Sequence, residues 1–299
     1  MLASAPALAF EGYSGTRVMG TGGASRAWAL GDAGPLLNPS GMSIVKSYVV
    51  EGGYTYGRRL EENFLHASVV DGTSTFNIAG GLYYTYHHIA PPGTTGQSHE
   101  GGGALSLPMG DHVAIGATVK YFRFMEADAI GDRRGGFTFD LGATVRPIPL
   151  LSFALTGTNL YGLDNGYAPK GVGYGAALLA GPVAVVADGR TSFTADNFTG
   201  RKGTSGMLGA EWTATPRLGL RVGGGYDAAT KSGYLTAGVS GISDIGAFDA
   251  GIRQDLFVTS GLVGVGGPDT NNTRQTMLGV GLRLFVPAQQ TQPPLMNGL

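Results

Sequence analysis

The 299-residue sequence contains no cysteine, and only 14% of its residues are charged. The absence of cysteine excludes disulfides and thiolate metal sites, and it is compatible with an exported bacterial protein as well as with a cytosolic one. The formal net charge is −1. Because no block of like charge occurs, the sequence lacks the basic surface of a nucleic-acid-binding protein, and we expect no nucleic-acid partner.

Long apolar runs are also missing. Gly, Thr, Ser or a charged residue interrupts every apolar stretch before it reaches the roughly 20 residues of a transmembrane helix. The start, MLASAPALAF, is apolar and rich in small residues, with an A-x-A-like site at residues 7–9 but no Lys or Arg. We predict that residues 1–9 are the remnant of a signal peptide.

From Ile44 onward, apolar residues recur at every second position in segments of about ten, which is the period of half-buried strands. In GFTFDLGATVR (136–146), for example, Phe137, Phe139 and Leu141 alternate with polar or small residues. The pattern predicts an all-β protein, a transmembrane antiparallel β-barrel of about 14 strands. The predicted strands are 44–57, 62–71, 75–88, 98–108, 111–125, 136–146, 150–160, 170–180, 182–193, 204–214, 217–228, 232–242, 245–258 and 274–286. The alternative, a soluble β-sandwich or lipocalin-type barrel, explains neither the strand number nor the connections.

The predicted connections alternate between tight turns and longer loops, as in outer-membrane barrels with short periplasmic turns. This pattern predicts a bacterial outer-membrane location with both termini periplasmic. We assign alternate residues of each strand to the outer and inner faces of the barrel, and this parity also predicts two outward aromatic girdles. Tyr54, Tyr56, Tyr84, Tyr86, Tyr121, Phe137 and Tyr226 form the girdle at the loop-side ends of the strands, and Tyr48, Phe76, Phe153, Trp212 and Phe248 form the girdle at the turn-side ends.

The same parity predicts an inward face with charges of both signs, which gives no single-sign field for ion selection. The predicted lumen network comprises Glu51, Lys120, Asp140, Arg146, Asp188, Arg190, Glu211, Arg221, Asp249 and Arg253, and Arg217, Asp255 and Arg283 share this parity. Inward glycines at positions 81, 116, 142, 209, 219, 223, 251, 279 and 281 would let another backbone approach the wall. We therefore expect residues 10–43 to fill the lumen of a barrel over residues 44–286, followed by a periplasmic tail over 287–299.

The stretch GTRVMGTGGASRAWALGDAGPLLNPSGMS (15–43) resembles the N-terminal plug of the FadL-like outer-membrane barrels. Phrases such as HEGGGALSLPMGDHVAIGATVKYFRF and MLGAEWTATPRLGLRVGGGYD are more similar to the PorV/PorQ type of that superfamily than to the long-chain fatty acid transporters. The resemblance implies a 14-stranded barrel whose N-terminal segment lies in the lumen. It assigns the plug role to Arg17, Asp32, Asn38, Pro39 and Gly41.

Two functions follow from this resemblance as hypotheses. The first is passage, or gating of passage, of hydrophobic small molecules or secreted cargo through a plugged lumen or a lateral wall opening. Its partners would be the lipid bilayer and a hydrophobic ligand or detergent in the lumen. The second is a structural or docking subunit that holds other envelope or secreted proteins, for secretion, motility or surface assembly, without transport of its own.

The end of the predicted plug is also explained by local chemistry. Asn38 can bond its neighbouring backbone, Pro39 fixes φ and Gly41 permits a positive φ, so we expect the three residues to form a rigid turn.

No catalytic pattern stands out. GTGGAS (20–25) resembles a dinucleotide loop but has no final glycine and no βαβ frame. His87, His88 and His99 surround one predicted loop, yet a metal would need another ligand, so solvated histidines are the simpler reading. We expect no enzymatic activity, no cofactor and no metal site.

Overall fold

The computed structural model describes residues 14–58, 61–73, 78–90, 96–126, 134–162, 168–194, 202–228, 231–258 and 274–286. The predicted signal-peptide remnant and the predicted periplasmic tail lie outside these residues. Fourteen antiparallel strands form one closed barrel. They are β1 (Tyr48–Gly57), β2 (Glu62–Asp71), β3 (Ala79–Ile89), β4 (Gly96–Met109), β5 (Val113–Glu126), β6 (Arg134–Ile148), β7 (Leu151–Thr158), β8 (Gly171–Ala180), β9 (Val183–Ser192), β10 (Gly203–Thr215), β11 (Leu218–Asp227), β12 (Ser232–Ser243), β13 (Gly246–Val258) and β14 (Thr276–Val286).

Each strand pairs with its sequence neighbours, and β1 closes the barrel against β14 from Tyr48↔Val286 to Gly57↔Met277. The predicted fold class and strand number are confirmed. One predicted boundary was wrong, because β1 begins at Tyr48 rather than at Ile44. The predicted start of the third strand at 75 lies outside the described residues. Ile44 is fully buried in a helical conformation instead, because it packs into an apolar cluster with Trp28.

Connections at the two barrel ends differ in length. At the end that we call the turn side, they run from two residues (149–150) to seven (72–78). At the opposite end, the loop side, they run from four residues (58–61) to seventeen (259–275). This asymmetry follows the prediction from the sequence and is typical of outer-membrane barrels.

The outward face of the barrel is apolar. Leu82, Leu105 and Val119 expose more than half of their surface, and exposed aromatic side chains lie toward both barrel ends, with Tyr84 and Phe137 on the loop side and Trp212 and Phe248 on the turn side. Such a surface is stable in lipid but not in water, since a soluble protein rarely exposes so large a contiguous apolar area. Among the residues that the structure describes, no helix is long and apolar enough to cross a membrane.

Four short helices precede the barrel: α1 (Thr16–Gly20), the 3-10 turn η1 (Arg26–Trp28), α2 (Ala33–Leu37) and the 3-10 turn η2 (Pro39–Ser43). We call residues 14–47 the N-terminal segment. Most of it is buried, and it lies inside the barrel against inward-facing wall residues. Glycine and proline breakers in ALGDAGPLLNPSGMS limit each helix to five residues or fewer. The segment therefore follows the curved wall as a chain of short turns.

Candidate functional site in the barrel lumen

Inward glycines form the surface on which the N-terminal segment lies. A Cβ atom added at any of eight of the nine predicted inward glycines would fall within 4 Å of residues 16–42, the exception being Gly219. The added Cβ of Gly209 would lie 2.2 Å from the carbonyl oxygen of Thr21, and that of Gly142 would lie 2.2 Å from Oδ1 of Asn38. Side chains at these positions would displace the segment, so the wall is shaped to its backbone.

Asn38 is the polar centre of the contact with β6. Its side-chain amide donates to the carbonyl of Arg26 at 2.8 Å and to Oγ1 of Thr144 at 2.9 Å. Its Oδ1 accepts from the backbone N–H of Ser40 at 3.2 Å and from the Ser40 hydroxyl at 2.7 Å. Asn38 is fully buried and uses both of its polar atoms, so its replacement would leave several buried groups without partners.

The turn after Asn38 differs from the expected one at Gly41. Pro39 occupies the first turn of η2, as its fixed φ favours. Gly41, however, does not have a positive φ, so the expected reason for this glycine was wrong. A Cβ at position 41 would lie 2.5 Å from the carbonyl oxygen of Ala29 and 2.7 Å from its side chain. Glycine is required here because an earlier part of the segment crosses it closely.

A chain of charged side chains, which we call the ion network, runs along the inner wall and contacts the N-terminal segment at both of its ends. Arg17 on α1 meets Glu211 at 2.8 Å, and Arg221 contacts Glu211 at 3.0 Å and Asp249 at 3.2 Å. Arg283 then joins Asp249 at 2.7 Å to Glu51 at 3.6 Å.

The ion network ends on the N-terminal segment, because the carboxylate of Glu51 accepts the backbone N–H of Asp32. The network thus begins on α1, follows the wall across β10 to β14 and β1, and returns to the segment. Burial raises the pKa of the Asp32 carboxyl to about 6, against the smaller opposing effects of Glu51, Arg283 and Arg17. Truncating one member of such buried ion pairs would leave an uncompensated charge.

Asp188 on β9 forms a third attachment. Its Oδ2 accepts the backbone N–H groups of Ser25 and Arg26, both at 2.9 Å, and pairs with the Arg26 guanidinium at 3.3 Å. The alternation of β9 predicts that Asp188 faces the lumen, but it does not specify Ser25 and Arg26 as the partners of Asp188. Two adjacent backbone N–H groups and one guanidinium therefore all bind the same oxygen of the buried carboxylate.

The remaining predicted lumen residues lie in separate places. Lys120 pairs with Asp140 at 2.7 Å, Arg146 lies over the ring of Trp28, and Arg253 lies 3.7 Å above the ring of Tyr234. The others have different surroundings. Arg190 is half-buried on β9, Asp255 pairs with Arg253, and Arg217 is exposed at the β10–β11 turn, so its inward placement was wrong.

An apolar group that the sequence analysis did not identify lies on the loop side of the lumen. Phe64, Phe122, Phe124 and Ala168, which we call the aromatic cluster, are each at most 5% exposed, and Leu36 of α2 packs against them. The sequence sign of this cluster is the run YFRF (121–124), because the strand alternation directs both of its Phe residues into the lumen. The cluster covers the N-terminal segment at α2.

Histidine positions argue against convergence on a metal. His87 is buried and stacks on Phe64 with ring centroids 4.0 Å apart, whereas the ring of His99 packs against those of the outward-facing Tyr84 and Tyr86. Because the two histidines lie on opposite faces of the wall, they cannot share one ion. In the described part of the chain, no group of three or more His, Asp or Glu could hold a metal.

Glu100 is a further inward residue that the sequence did not indicate. It is buried and accepts a hydrogen bond from the hydroxyl of Tyr83 at 2.5 Å.

Comparison with known proteins shows similarity at the level of structure. The Pseudomonas putida toluene transporter TodX matches with a TM-score of 0.68 and 12% identity over 94% of this chain and 99% of that chain. The Ralstonia pickettii toluene transporter TbuX matches with a TM-score of 0.68 and 13% identity, over 92% and 98%. A Pseudomonas aeruginosa FadL homologue gives 0.65 and 10%, over 93% and 99%.

No family model and no curated protein matches the sequence. The structural matches cover nearly the whole chain, and they confirm the expected FadL-like barrel fold. At 10 to 13% identity they show the fold alone, and function rests on the lumen itself. The greater similarity to the PorV type that the sequence suggests stays a prediction.

Proposed function

We propose that this protein is an outer-membrane channel for hydrophobic small molecules, with the N-terminal segment as its plug. The single observation that supports this most strongly is the fit between the segment and the inward glycines, where eight wall positions approach residues 16–42. A wall with glycine at eight inward positions has room for an occupant against it. The occupant is part of the same chain.

The aromatic cluster supports a hydrophobic substrate. Phe64, Phe122 and Phe124 face the lumen at the loop side, where an ion channel would place polar groups. Aromatic rings bind apolar and aromatic molecules through burial and offset stacking, at about 0.5–1.5 kcal/mol for each ring pair beyond area burial. The solved structures with this fold include toluene transporters and a channel described as one for monoaromatic hydrocarbons.

The lumen charges support gating by the plug more than selection of ions. The ion network alternates in sign from Arg17 to Glu51, so it presents no ring of one charge to a passing ion. Its contacts with α1 and with Asp32 instead hold the plug against the wall. In this proposal the turn side and both termini face the periplasm, since outer-membrane barrels place their short turns there.

The test is uptake of labelled toluene by a Gram-negative host that expresses the chain. We expect a faster initial uptake rate than with an empty vector, and saturation at high concentration. Phe122→Ala removes a ring of the aromatic cluster and should raise the half-saturating concentration several-fold. Phe137→Ala is the matched control, because Phe137 is 66% exposed on the outward face. Equal effects of the two variants would contradict the assigned path.

A docking role without transport makes a different prediction for the same cells. If uptake equals that of the empty vector while the protein co-purifies from native membranes with a stoichiometric partner chain, the channel proposal is wrong. The protein would then serve as a structural subunit. Folding must be verified in both cases by unchanged electrophoretic mobility of the unheated barrel.

A further inference from the structure

One cation interrupts the outward face of strands β3–β6. Among the described outward-facing residues of these strands, no residue other than Arg123 is Lys, Arg, Asp or Glu. Its register neighbours are His99 on β4 and Gly135 on β6, and Tyr86 on β3 follows His99 in the same row. Among the side chains that the structure describes, no carboxylate lies within ion-pair distance of Arg123. A lone cation on a lipid-facing wall needs an anionic partner or water.

The row occupies the depth of lipid headgroups. The adjacent row toward the turn side is Tyr84, Gly101, Tyr121 and Phe137, with the Tyr121 and Phe137 ring centroids 4.9 Å apart. Outward aromatic rows mark the interface between hydrocarbon and headgroups. Arg123 lies one row beyond this girdle, on its loop side. Its guanidinium is therefore level with headgroup phosphates rather than with acyl chains.

His99 is held in position beside Arg123. The Tyr84 hydroxyl and Nδ1 of His99 lie 2.6 Å apart, and the Tyr86 ring packs against the imidazole at 5.2 Å. With the Tyr84 hydroxyl donating to Nδ1, the neutral imidazole keeps its Nε2–H as a donor. The pair thus offers the five N–H donors of a guanidinium and one of an imidazole at a fixed place on the wall.

We propose that Arg123 and His99 bind the phosphate of a lipid headgroup on the outside of the barrel, at the loop-side interface. A guanidinium fork matches two phosphate oxygens, and charge complementarity favours an anionic group. The surface below the row is apolar, with Leu82, Leu105 and Val119 exposed. An occupant that satisfies both surfaces carries a phosphate and acyl chains, which distinguishes a lipid from free phosphate. This site is separate from the lumen and does not depend on transport.

The test is native mass spectrometry of the purified protein in detergent, titrated with diphosphoryl lipid A. We expect a saturable bound lipid in the wild type and about fivefold or greater weakening in Arg123→Gln, since one cation near an anionic lipid surface contributes about that factor. Arg123→Lys keeps the charge but loses the fork, so its affinity should lie between the two. His99→Gln should also weaken binding. Arg217→Gln is the matched control, because Arg217 is exposed at the opposite end of the barrel.

Several outcomes would overturn the proposal. Equal weakening in Arg217→Gln and Arg123→Gln would show unspecific electrostatic attraction. Equal affinity of the wild type for lipid A with and without its phosphates would show that acyl chains alone bind. Displacement of the lipid by millimolar inorganic phosphate would identify a free-anion site instead. All variants keep the same barrel interior, and unchanged mobility of the unheated protein verifies their folding.

Discussion

A methyl group added at Gly209 or Gly223 should loosen the N-terminal segment at a single point. The two glycines are register partners on β10 and β11, and both face Thr21. An added Cβ would lie 2.2 Å from the Thr21 carbonyl oxygen in one case and 2.4 Å from its carbonyl carbon in the other. The obstructed atoms belong to the backbone, so no side-chain rotation can relieve the contact. Thr21 is also held by its hydroxyl, which lies 2.9 Å from the carbonyl oxygens of both Val18 and Ala24 and shares its one proton between them.

Overpacking of this kind costs about 1–3 kcal/mol, and we expect each variant to lose that much free energy of unfolding. The measurement is unfolding by guanidinium chloride in detergent micelles. Gly206→Ala provides the control, because it lies on the same strand and its added Cβ would meet nothing within 4 Å. It also corrects for the reduced backbone freedom of alanine. The difference between each variant and this control isolates the contact with Thr21.

The double variant gives a sharper result than either single one. Once Gly209→Ala has displaced Thr21, Gly223→Ala meets less resistance, so the double loss should fall short of the sum by about 0.5 kcal/mol or more. The displaced segment should also raise ion conductance in planar bilayers. Losses equal to that of Gly206→Ala, or strict additivity with unchanged conductance, would refute the reasoning that these glycines accommodate the segment.

Further predictions concern the wall and the other attachments. Leu141→Arg should lower the free energy of unfolding by about 2–4 kcal/mol in lipid-refolding titrations, because Leu141 is outward-facing near mid-strand and 48% exposed. Asp188→Asn should raise ion conductance, since the Arg26 guanidinium loses its carboxylate partner. The pKa of Asp32 is raised from 3.8 to about 6. Its stabilising contribution is therefore complete below pH 3.8 and lost as the pH rises through 6, by up to about 3 kcal/mol, and Asp32→Asn should abolish this loss in urea titrations.

The wall could be predicted from the sequence because its signal is local. A strand with one lipid-facing side alternates at every second residue, and turns such as Thr215 to Arg217 have their own composition. The register with each neighbour then follows from short connections between sequence-adjacent strands. The predicted start of the first strand at position 44 was wrong because Ile44 fits the alternation yet packs on Trp28, a contact that periodicity does not encode.

Contacts between the N-terminal segment and the wall could not be predicted in the same way. The bond from Ser25 to Asp188 joins residues 163 positions apart, and nothing in the sequence around either residue specifies the other. The inward glycines indicated that something lies against the wall but not which residue meets which glycine. Gly41 shows the same limit, since its requirement comes from Ala29 and not from its own φ.

The attachments differ in strength along the segment, and this difference decides where it can move at least cost. The α1 end is held by the buried charge of Arg17, and η1 by Asp188. The η2 end is continuous with β1 and held by Asn38. Between them, the described side-chain hydrogen bonds from the wall to residues 30–37 are those of Glu51 to the Asp32 N–H and of Thr118 to the Pro35 carbonyl at 3.2 Å.

Displacing residues 32–37 therefore breaks these two hydrogen bonds and the packing of Leu36, Ala33 and Leu37. Displacing either end breaks buried ion pairs or the hydrogen bonds of Asn38. Leu36 is also the residue of α2 that contacts the aromatic cluster. An apolar molecule entering among Phe64, Phe122 and Phe124 would compete with Leu36 for the same surface. The most easily moved part of the segment is thus the part that the proposed substrate would meet first.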